Sequence, residues 1–297
     1  PGRVAVVGSG VIGTEMAYIL HMLGCEVCWV AGRDPLGRSN FTPQARGALK
    51  KRLEAAGISC RTGGRLASAT VDDDGVDVAL DDGETRRVDW VLLGTGRAPV
   101  TDGMGLAEAG VETDGHGFVA IDEQRRTSRD GVFAIGDCAN GRMTANHALH
   151  DAKVAIDNIL APGSRSADPD AVPEVVYSAT ELARFGMDDD AAEDGGYEPA
   201  VGFTSFEANP KAVGQDTPDG FTRLLADMDE GTLLGAEVVG ESAGELIHNL
   251  TIHSDPDTAL AEIASGRYNH PAMGEEALNA AETLAANWGL GREIFGD

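Results

Sequence analysis

The sequence predicts an α/β fold with about two domains, and two observations carry that prediction. At residues 3–17 a short apolar run, typical of a buried strand, passes through Gly8, Gly10 and Gly13 into an apolar pattern of helical period. A strand that turns into a helix at such a glycine triplet is typical of an open parallel sheet. The length of 297 residues exceeds that of one typical domain and allows a sizeable core.

The glycine triplet predicts a nucleotide site, because each of its positions has a physical reason. Gly8 makes the tight turn, Gly10 lets the backbone approach a pyrophosphate, and Gly13 lets the helix and the strand pack closely. The phosphates then meet unpaired N–H groups at the positive end of the helix. Since glycine is abundant here, with 39 copies, a glycine-rich turn without a ligand is the alternative.

The chain is strongly acidic, with a formal net charge of −26 and a pI near 4.4. The charge is spread along the whole sequence, which disfavours a nucleic-acid partner. Only four of the 23 basic residues are lysines. Such acidic, lysine-poor sequences resemble those of salt-accumulating halophiles, in which about 1 M salt screens charge repulsion beyond roughly 3 Å. An acidic patch for a basic partner is the alternative interpretation.

Cysteine content and hydropathy indicate a cytoplasmic protein without a membrane partner. Four cysteines do not make a disulfide framework in a chain of this length. Cys25 and Cys28 lie about 10 Å apart along a predicted strand, which is too far for a disulfide, so we expect core thiols there and no metal site. No apolar run reaches the roughly 18 residues that a membrane span needs.

The strands and helices of the first part of the chain close a nucleotide-binding domain at residues 1–94. A second strand at 26–30 and a crossover helix at 44–56 lead to a third strand at 58–61. Apolar and polar residues that alternate between acidic turns then predict three further strands, and a buried apolar strand closes the domain. These last four strands are residues 67–71, 75–80, 85–88 and 90–93.

The end of the second strand predicts which dinucleotide is bound. An acidic residue at this point would bind the adenosine ribose hydroxyls. The sequence instead has Ala31 and Gly32, followed by Arg33 and Arg38, whose charges can neutralise a 2′-phosphate. This pattern favours NADPH over NADH. The alternatives are that both arginines are ordinary surface residues and that Asp34 binds the ribose of NADH.

A second motif lies at residues 126–140. Residues 132–135 predict a buried strand that delivers Gly136 and Asp137 at its carboxyl end, where open α/β sheets bind ligands. Asp137 can accept a hydrogen bond from a ribose or ribityl hydroxyl, and Gly136 allows close approach of a bulky cofactor. A helix at residues 148–160 follows. A capped strand end before a helix is the alternative.

Together these motifs resemble those of the flavin-dependent pyridine nucleotide–disulfide oxidoreductases, a family that includes dihydrolipoamide dehydrogenase, glutathione reductase, mycothione reductase and mercuric reductase. The run GSGVIGTE resembles the NAD(P)H motif of the family and its following Glu15. GTGRAPV, with Gly96, resembles the G-x-G-R-x-P-N motif, and TSRDGVFAIGDC resembles the motif whose aspartate binds the flavin ribityl chain. By that resemblance Asp137 is the FAD contact, and Glu15, Gly96 and Gly136 also belong to the cofactor-binding residues.

The resemblance also implies how the chain is divided. It implies a Rossmann-like NAD(P)-binding domain at residues 1–94, the remainder of an FAD-binding domain at 95–162 and an α+β dimerisation domain at 170–297. A linker rich in Pro, Gly, Ser and Asp precedes the last domain. Strands at 222–227 and 233–239 and a helix at 243–253 are expected within it.

A third motif lies at residues 269–284. Pro271 fits the first turn of a helix and keeps His270 out of helical geometry, so the imidazole should project from the helix start. In the H-P-T-x-S-E pattern of the family this histidine is the acid/base for a dithiol, and a glutamate orients it. The resemblance therefore implies that His270 and Glu275 are catalytic. The alternative is that His270 is an ordinary histidine at a helix start with no catalytic role.

The resemblance finally implies a homodimeric enzyme that passes a hydride from NAD(P)H through FAD to a redox disulfide and then to a small disulfide substrate. Neither a C-x-x-x-x-C pair nor a second glycine triplet for FAD occurs in this chain, and both belong to the N-terminal third of the family. We therefore expect the C-terminal two-thirds of a larger enzyme, inactive in isolation. The alternatives are an NAD-dependent dihydrolipoamide dehydrogenase, a mercuric reductase-like enzyme, which usually lacks the histidine, and a non-catalytic nucleotide-binding module.

Overall fold

The computed structural model describes residues 2–139, 141–253 and 256–295. These residues divide into two compact units. One comprises Pro1–Gly96 and Glu174–Asp297, and the other comprises Arg97–Pro173. Pro1, which opens the predicted nucleotide-binding domain, and Asn140, which ends the second motif, lie outside the described residues, as do the last two residues of the chain.

The first sheet is parallel and contains four strands in the order β3-β2-β1-β7. Its elements are β1 (Arg3–Val7), α1 (Val11–Met22), β2 (Glu26–Ala31), α2 (Pro43–Ala55) and β3 (Cys60–Thr62). The predicted order of strands and helices is confirmed, with β3 two residues later than expected.

A three-stranded antiparallel meander separates β3 from the last strand of the parallel sheet. It consists of β4 (Leu66–Asp72), β5 (Gly75–Leu80) and β6 (Thr85–Val88), and β7 (Trp90–Leu93) follows. The expected burial of β7 is wrong, because Trp90 is 39% and Leu93 63% exposed. As an edge strand, β7 has only β1 as a neighbour in the sheet.

The smaller unit contains one long helix, α3 (Ala145–Leu160), and a 3₁₀ turn at Gly136–Cys138. The predicted strand at residues 132–135 is wrong. Phe133 makes a single antiparallel bridge with Arg126, and Val132 and Ile135 are each 39% exposed. A strand needs a neighbour that completes its ladder of hydrogen bonds, and for residues 132–135 the described part of the chain supplies only that bridge. The helix predicted at 148–160 begins three residues earlier than expected.

The second sheet belongs to the larger unit and is antiparallel, in the order β10-β11-β12-β9-β8. Its elements and the helices that connect or cover them are β8 (Glu174–Tyr177), β9 (Glu181–Gly186), α4 (Asp189–Asp194), β10 (Pro199–Ser205), α5 (Pro210–Gly214), β11 (Phe221–Asp227), β12 (Leu233–Val239), α6 (Ala243–Leu246), α7 (His248–Thr251), α8 (Pro256–Ala264), α9 (Glu275–Trp288) and α10 (Gly291–Phe295). The strands expected at 222–227 and 233–239 are confirmed.

The hydrophobic core around the second sheet lies between that sheet and the C-terminal helices. Leu224, Ile263 and Leu284 are almost fully buried there. A Cβ added to Gly202 on β10 would lie 2.2 Å from the carbonyl oxygen of Ala280, so only glycine lets α9 approach the sheet this closely. The single helix predicted at residues 243–253 is wrong in its continuity. It is divided into α6 and α7.

None of the helices in the described ranges is both long and apolar enough to cross a membrane. Within the same ranges, no three His, Cys, Asp or Glu residues are grouped so that they could hold a metal ion.

Candidate functional site

The glycine triplet lies where β1 turns into α1, and two of its members are required by packing alone. Gly8 has a φ of +112°, and a Cβ on it would lie 2.2 Å from the carbonyl oxygen of Gly94. A Cβ on Gly13 would lie 2.1 Å from the carbonyl oxygen of Gly8. Around the Cβ position of Gly10 there is no heavy atom within 4 Å. The protein itself does not need a glycine at that position, so a ligand can approach the backbone there.

The sequence reasoning missed two residues that fix this turn. The indole Nε1 of Trp29, a buried side chain on β2, donates a 2.7 Å hydrogen bond to the carbonyl oxygen of Gly8. A Cβ on Gly94 would lie 3.1 Å from the backbone nitrogen of Gly13. An indole N–H in a predicted buried strand needs a partner, which is the signal that could have identified Trp29. Gly96 has a φ of +132° and open space around its Cβ position.

Glu15 follows the triplet on α1 and contacts the second sheet. Its Oε1 accepts a 2.9 Å hydrogen bond from the backbone N–H of Tyr177 on β8. Burial raises the pKa of Glu15, and the hydrogen bond from Tyr177 opposes that effect. Glu15 therefore has a structural contact of its own, and its contact with a cofactor stays a prediction.

The loop after β2 carries two arginines and one aspartate, as the sequence reasoning noted. Arg33 and Arg38 are exposed, and within the described ranges neither makes an ion pair or a side-chain hydrogen bond. Asp34, the alternative ribose ligand, faces Lys50 on α2, with 3.4 Å between Oδ1 and Nζ. Such an exposed pair contributes little stability. It does mean that Asp34, the only acidic residue at positions 31–38, is paired with the ammonium group of Lys50.

In the smaller unit, Asp137 directly follows a tight turn at Gly136. Gly136 has a φ of +69°, and its N–H donates a 3.3 Å hydrogen bond to Oδ2 of Asp151 on α3. Asp151 is buried and also accepts a 2.6 Å bond from Nε of Arg125. The Asp137 side chain is 61% exposed, with its Oδ2 3.6 Å from Nη1 of Arg97. The buried pair of Arg125 and Asp151, which the sequence reasoning missed, thus fixes the turn while the Asp137 carboxylate faces solvent.

His270, in the loop before α9, and Glu275, the first residue of α9, form a hydrogen-bonded pair. Nδ1 of His270 lies 2.9 Å from Oε1 of Glu275, and the imidazole is 71% exposed. A carboxylate only accepts, so Nδ1 of the neutral ring carries the proton and Nε2 is the basic nitrogen. The pair that the third motif predicted is therefore present in the geometry, and its catalytic role stays a prediction.

The expected position of Pro271 in the first helical turn is wrong. The peptide bond between His270 and Pro271 is cis, and α9 begins only at Glu275. The N–H of Ala272 donates a 2.7 Å bond to Oε2 of Glu275, so residues 271–274 form a loop closed by that carboxylate. The hydrogen bonds from His270 and then from Ala272 lower the pKa of Glu275, which keeps this carboxylate ionised near neutral pH.

A buried side-chain cluster supports this loop, and the sequence reasoning did not identify it. Nδ2 of Asn209 donates to the carbonyl oxygen of Ala272 at 3.0 Å and to Oε1 of Glu276 at 2.6 Å. Oε2 of Glu276 also accepts bonds from Thr204 at 2.7 Å and from Asn279 at 3.0 Å. Asn209 is 2% and Glu276 3% exposed. The only local sign of this cluster in the sequence is the adjacent pair of Glu275 and Glu276 at a helix start. Its partners Thr204 and Asn209 are distant in the chain.

All four cysteines are free, and none is presented as a reactive thiol with a partner in the described residues. Burial raises the pKa of Cys28, and it raises the pKa of Cys60 to about 12. These two thiols are neutral near pH 7 and are poor nucleophiles.

The chain matches two family models that together span most of its length. Residues 1–152 match the model described as pyridine nucleotide-disulphide oxidoreductase, and residues 172–281 match the dimerisation domain of the same family. Among curated proteins, a dihydrolipoyl dehydrogenase from Haloferax volcanii is 36% identical over 287 residues, which cover 95% of this chain and 60% of that protein. Dihydrolipoyl dehydrogenases from Halobacterium salinarum and Thermus scotoductus are 35% and 33% identical, with 60% and 62% of their lengths covered. The chain thus spans about 60% of the length of these relatives.

The fold is similar to that of solved enzymes as well. LpdA from Mycobacterium tuberculosis superposes with a TM-score of 0.86 at 25% identity, covering 94% of this chain and 61% of that one. RclA from Escherichia coli, a flavoprotein disulfide reductase, has a TM-score of 0.83 at 22% identity, covering 95% and 64%. The latter likeness concerns the fold alone. Because one family model covers 152 of the 297 residues, the chain belongs to the pyridine nucleotide-disulphide oxidoreductase family.

Proposed function

We propose that this chain is the NADPH-binding and histidine-bearing part of a homodimeric, FAD-dependent reductase of a small disulfide. The observation that carries the proposal is the exposed imidazole of His270, oriented by Glu275 through a 2.9 Å hydrogen bond. A positioned imidazole with one free nitrogen suits proton transfer to and from thiols near neutral pH. The dimerisation-domain match at residues 172–281 supports the homodimer.

The glycine turn would hold the pyrophosphate of the nicotinamide cofactor. The space around Gly10 and the N-terminal end of α1 fit a phosphate group. The guanidinium groups of Arg33 and Arg38, which have no ion pair among the described residues, suit the 2′-phosphate of NADPH, whereas Asp34 is already paired with Lys50. These contacts support NADPH, with NADH as the alternative.

The turn at Gly136 would hold part of the flavin. FAD supplies a two-electron carrier between the nicotinamide and a disulfide. The exposed carboxylate of Asp137 can accept a hydrogen bond from a ribityl hydroxyl. Gly136 serves the turn itself, because a Cβ on it would lie 3.2 Å from Cβ of Ala148 on α3. The residues present therefore fit the cofactor that the family implies.

His270 would move protons during thiol chemistry. Its Nε2 accepts a proton from a thiol as that thiol attacks a disulfide, and returns a proton to the thiolate that leaves. Glu275, ionised near neutral pH, stabilises the imidazolium that forms in between. The pair of His270 and Glu275 thus takes up one proton and releases it again, so its protonation state is the same before and after the exchange.

A second candidate is an NAD-dependent dihydrolipoamide dehydrogenase, which the names of the curated relatives favour. Arg33 and Arg38, which lack an ion pair in the described part of the chain, favour the NADPH-dependent enzyme instead. A mercuric reductase-like enzyme is disfavoured by His270, and a nucleotide-binding module without flavin chemistry would need neither His270 nor Asp137.

The test uses the complete gene product, purified in about 2 M KCl so that its acidic surface is screened. We expect a flavin spectrum that NADPH bleaches faster than NADH. His270→Ala should leave this bleaching nearly unchanged and slow turnover with a disulfide by about 10²- to 10⁴-fold. His116→Ala, at an exposed position of the smaller unit, is the matched control and should change neither step.

Equal losses in both half-reactions of His270→Ala would contradict the catalytic assignment. A protein without flavin would contradict the reductase proposal and favour the nucleotide-binding module. Faster bleaching by NADH, together with activity on dihydrolipoamide, would favour the second candidate.

A further inference from the structure

The loop after β3 passes closely over the carboxyl end of β2. The two strands are parallel neighbours, with Ala31 opposite Thr62, so both end at the same edge of the sheet. Gly64 follows β3, and a Cβ on it would lie 3.4 Å from Cγ1 of Val30. The loop therefore brings its next residue, Arg65, to the strand end at which the dinucleotide is selected.

The side chain of Arg65 reaches the residue directly after β2. Its Nε lies 3.8 Å from the Cβ position of Gly32. The Arg65 backbone is anchored on both sides, because its N–H donates to Oδ1 of Asp81 at 3.0 Å and its carbonyl accepts from the Asp81 N–H at 3.0 Å. The base of the side chain is thus fixed, while the residue itself is exposed.

Among the residues that the structure describes, the guanidinium of Arg65 has no carboxylate partner, although carboxylates are abundant. The sequence has 49 acidic and 23 basic residues apart from histidine. Nearby arginines are paired accordingly: Arg61 with Asp82 and Glu84, and Arg87 with Asp72. Arg65 makes no ion pair or side-chain hydrogen bond within the described ranges.

Three arginines without an ion pair among the described residues thus lie on the two loops that follow β2 and β3 at one edge of the parallel sheet. Arg33 and Arg38 come from the loop after β2, and Arg65 comes from the loop after β3. The one acidic side chain of the first loop, Asp34, is paired with Lys50. In a chain with a net charge of −26, arginines that lack a carboxylate partner among the described residues are suited to bind a compact anion.

We infer that Arg65 is a specificity-determining residue that binds the 2′-phosphate of NADPH together with Arg33 and Arg38. This inference rests on the proposed function, in which the turn at Gly8–Gly13 binds the same dinucleotide. NADH has a ribose hydroxyl in place of the phosphate, so Arg65 distinguishes the two cofactors. A planar guanidinium matches phosphate oxygens with two parallel hydrogen bonds, which an ammonium group does not.

The test is a binding titration of the 297-residue chain with NADPH, NADH and 2′,5′-ADP by calorimetry, in about 0.2 M and about 2 M KCl. Arg65→Ala should weaken NADPH and 2′,5′-ADP roughly tenfold or more and change NADH less than about twofold. Arg65→Lys should recover part of the loss. The matched control is Arg129→Ala, an exposed arginine of the smaller unit that also lacks an ion pair among the described residues, and it should leave all three affinities unchanged.

The outcomes separate this inference from the proposed function. If the chain prefers NADPH and Arg65→Ala leaves that preference intact, the inference is wrong and the proposed function stands. A uniform loss of NADPH and NADH in Arg65→Ala would also overturn it, because the effect would not concern the 2′-phosphate. If the unsubstituted chain binds neither nucleotide, or prefers NADH, the NADPH proposal and the inference fail together.

Discussion

The glycine turn after β1 and the pair of His270 and Glu275 are both candidate sites, but they are built in opposite ways. The turn depends on the absence of side chains, because a Cβ on Gly8 or Gly13 would lie 2.2 or 2.1 Å from a carbonyl oxygen. The pair depends on side chains that meet through hydrogen bonds of ordinary length, such as 2.9 Å between His270 and Glu275. Backbone overlap has no cheap relaxation, whereas each hydrogen bond contributes only about 1 kcal/mol net. A single substitution in the glycine turn should therefore cost much stability. Substitutions around His270 and Glu275 should each cost only the hydrogen bonds that they remove.

The largest effect is expected at the glycine turn. Gly13→Ala should destabilise the chain by about 3 kcal/mol or more, because the new methyl group overlaps the carbonyl of Gly8. Gly10→Ala is the matched control. Its methyl group enters open space, so its stability should stay within about 1 kcal/mol of the original while NADPH binding weakens. Chemical denaturation and nucleotide titration measure the two quantities. If the Gly13→Ala chain is as stable as the original, close backbone packing does not make the glycine turn more sensitive to substitution than the pair of His270 and Glu275.

An intermediate effect is expected beneath the histidine loop. Glu276→Ala should cost about 2 kcal/mol, because buried Asn209 and half-buried Thr204 lose their acceptor. Asn279→Ala removes only one donor to the same carboxylate and should cost about 1 kcal/mol or less. Denaturation curves compare the variants, and the NMR resonances of the His270 ring should shift in Glu276→Ala. Equal costs for both substitutions would show that the buried cluster does not support the loop.

The smallest effect on stability is expected at the pair of His270 and Glu275 itself, and it depends on pH. The pKa of Glu275 is lowered in the folded chain from its ordinary value of 4.5, by the hydrogen bonds from His270 and Ala272. Its contribution to stability is therefore present above about pH 4.5 and is lost as the pH falls through the lower, folded-state pKa. Thermal unfolding of Glu275→Gln and the original chain between pH 3 and pH 7 should show a small difference at neutral pH that vanishes in acid. If the difference in stability between the two chains grows as the pH falls, folding does not lower the pKa of Glu275 and the prediction is wrong.

The parts of the fold that sequence alone determined are those with local causes. The strands and helices of the parallel sheet follow from apolar periodicity and glycine spacing within a few residues. His270 and Glu275 lie only five residues apart, so one motif identified both. The acidic, lysine-poor composition pointed to halophiles, and two of the relatives come from halophilic archaea.

Tertiary structure alone decided the features whose partners are distant in the chain. Residues 132–135 read as a buried strand, yet a strand exists only where a neighbour completes its hydrogen bonds. The support that Asn209 and Glu276 give to the histidine loop joins residues 67 positions apart. Arg65 reached the edge beside Gly32 only because β3 pairs with β2 in that register. Local sequence encodes which backbone conformations are allowed, but burial and hydrogen-bond partners depend on which segments the fold brings together.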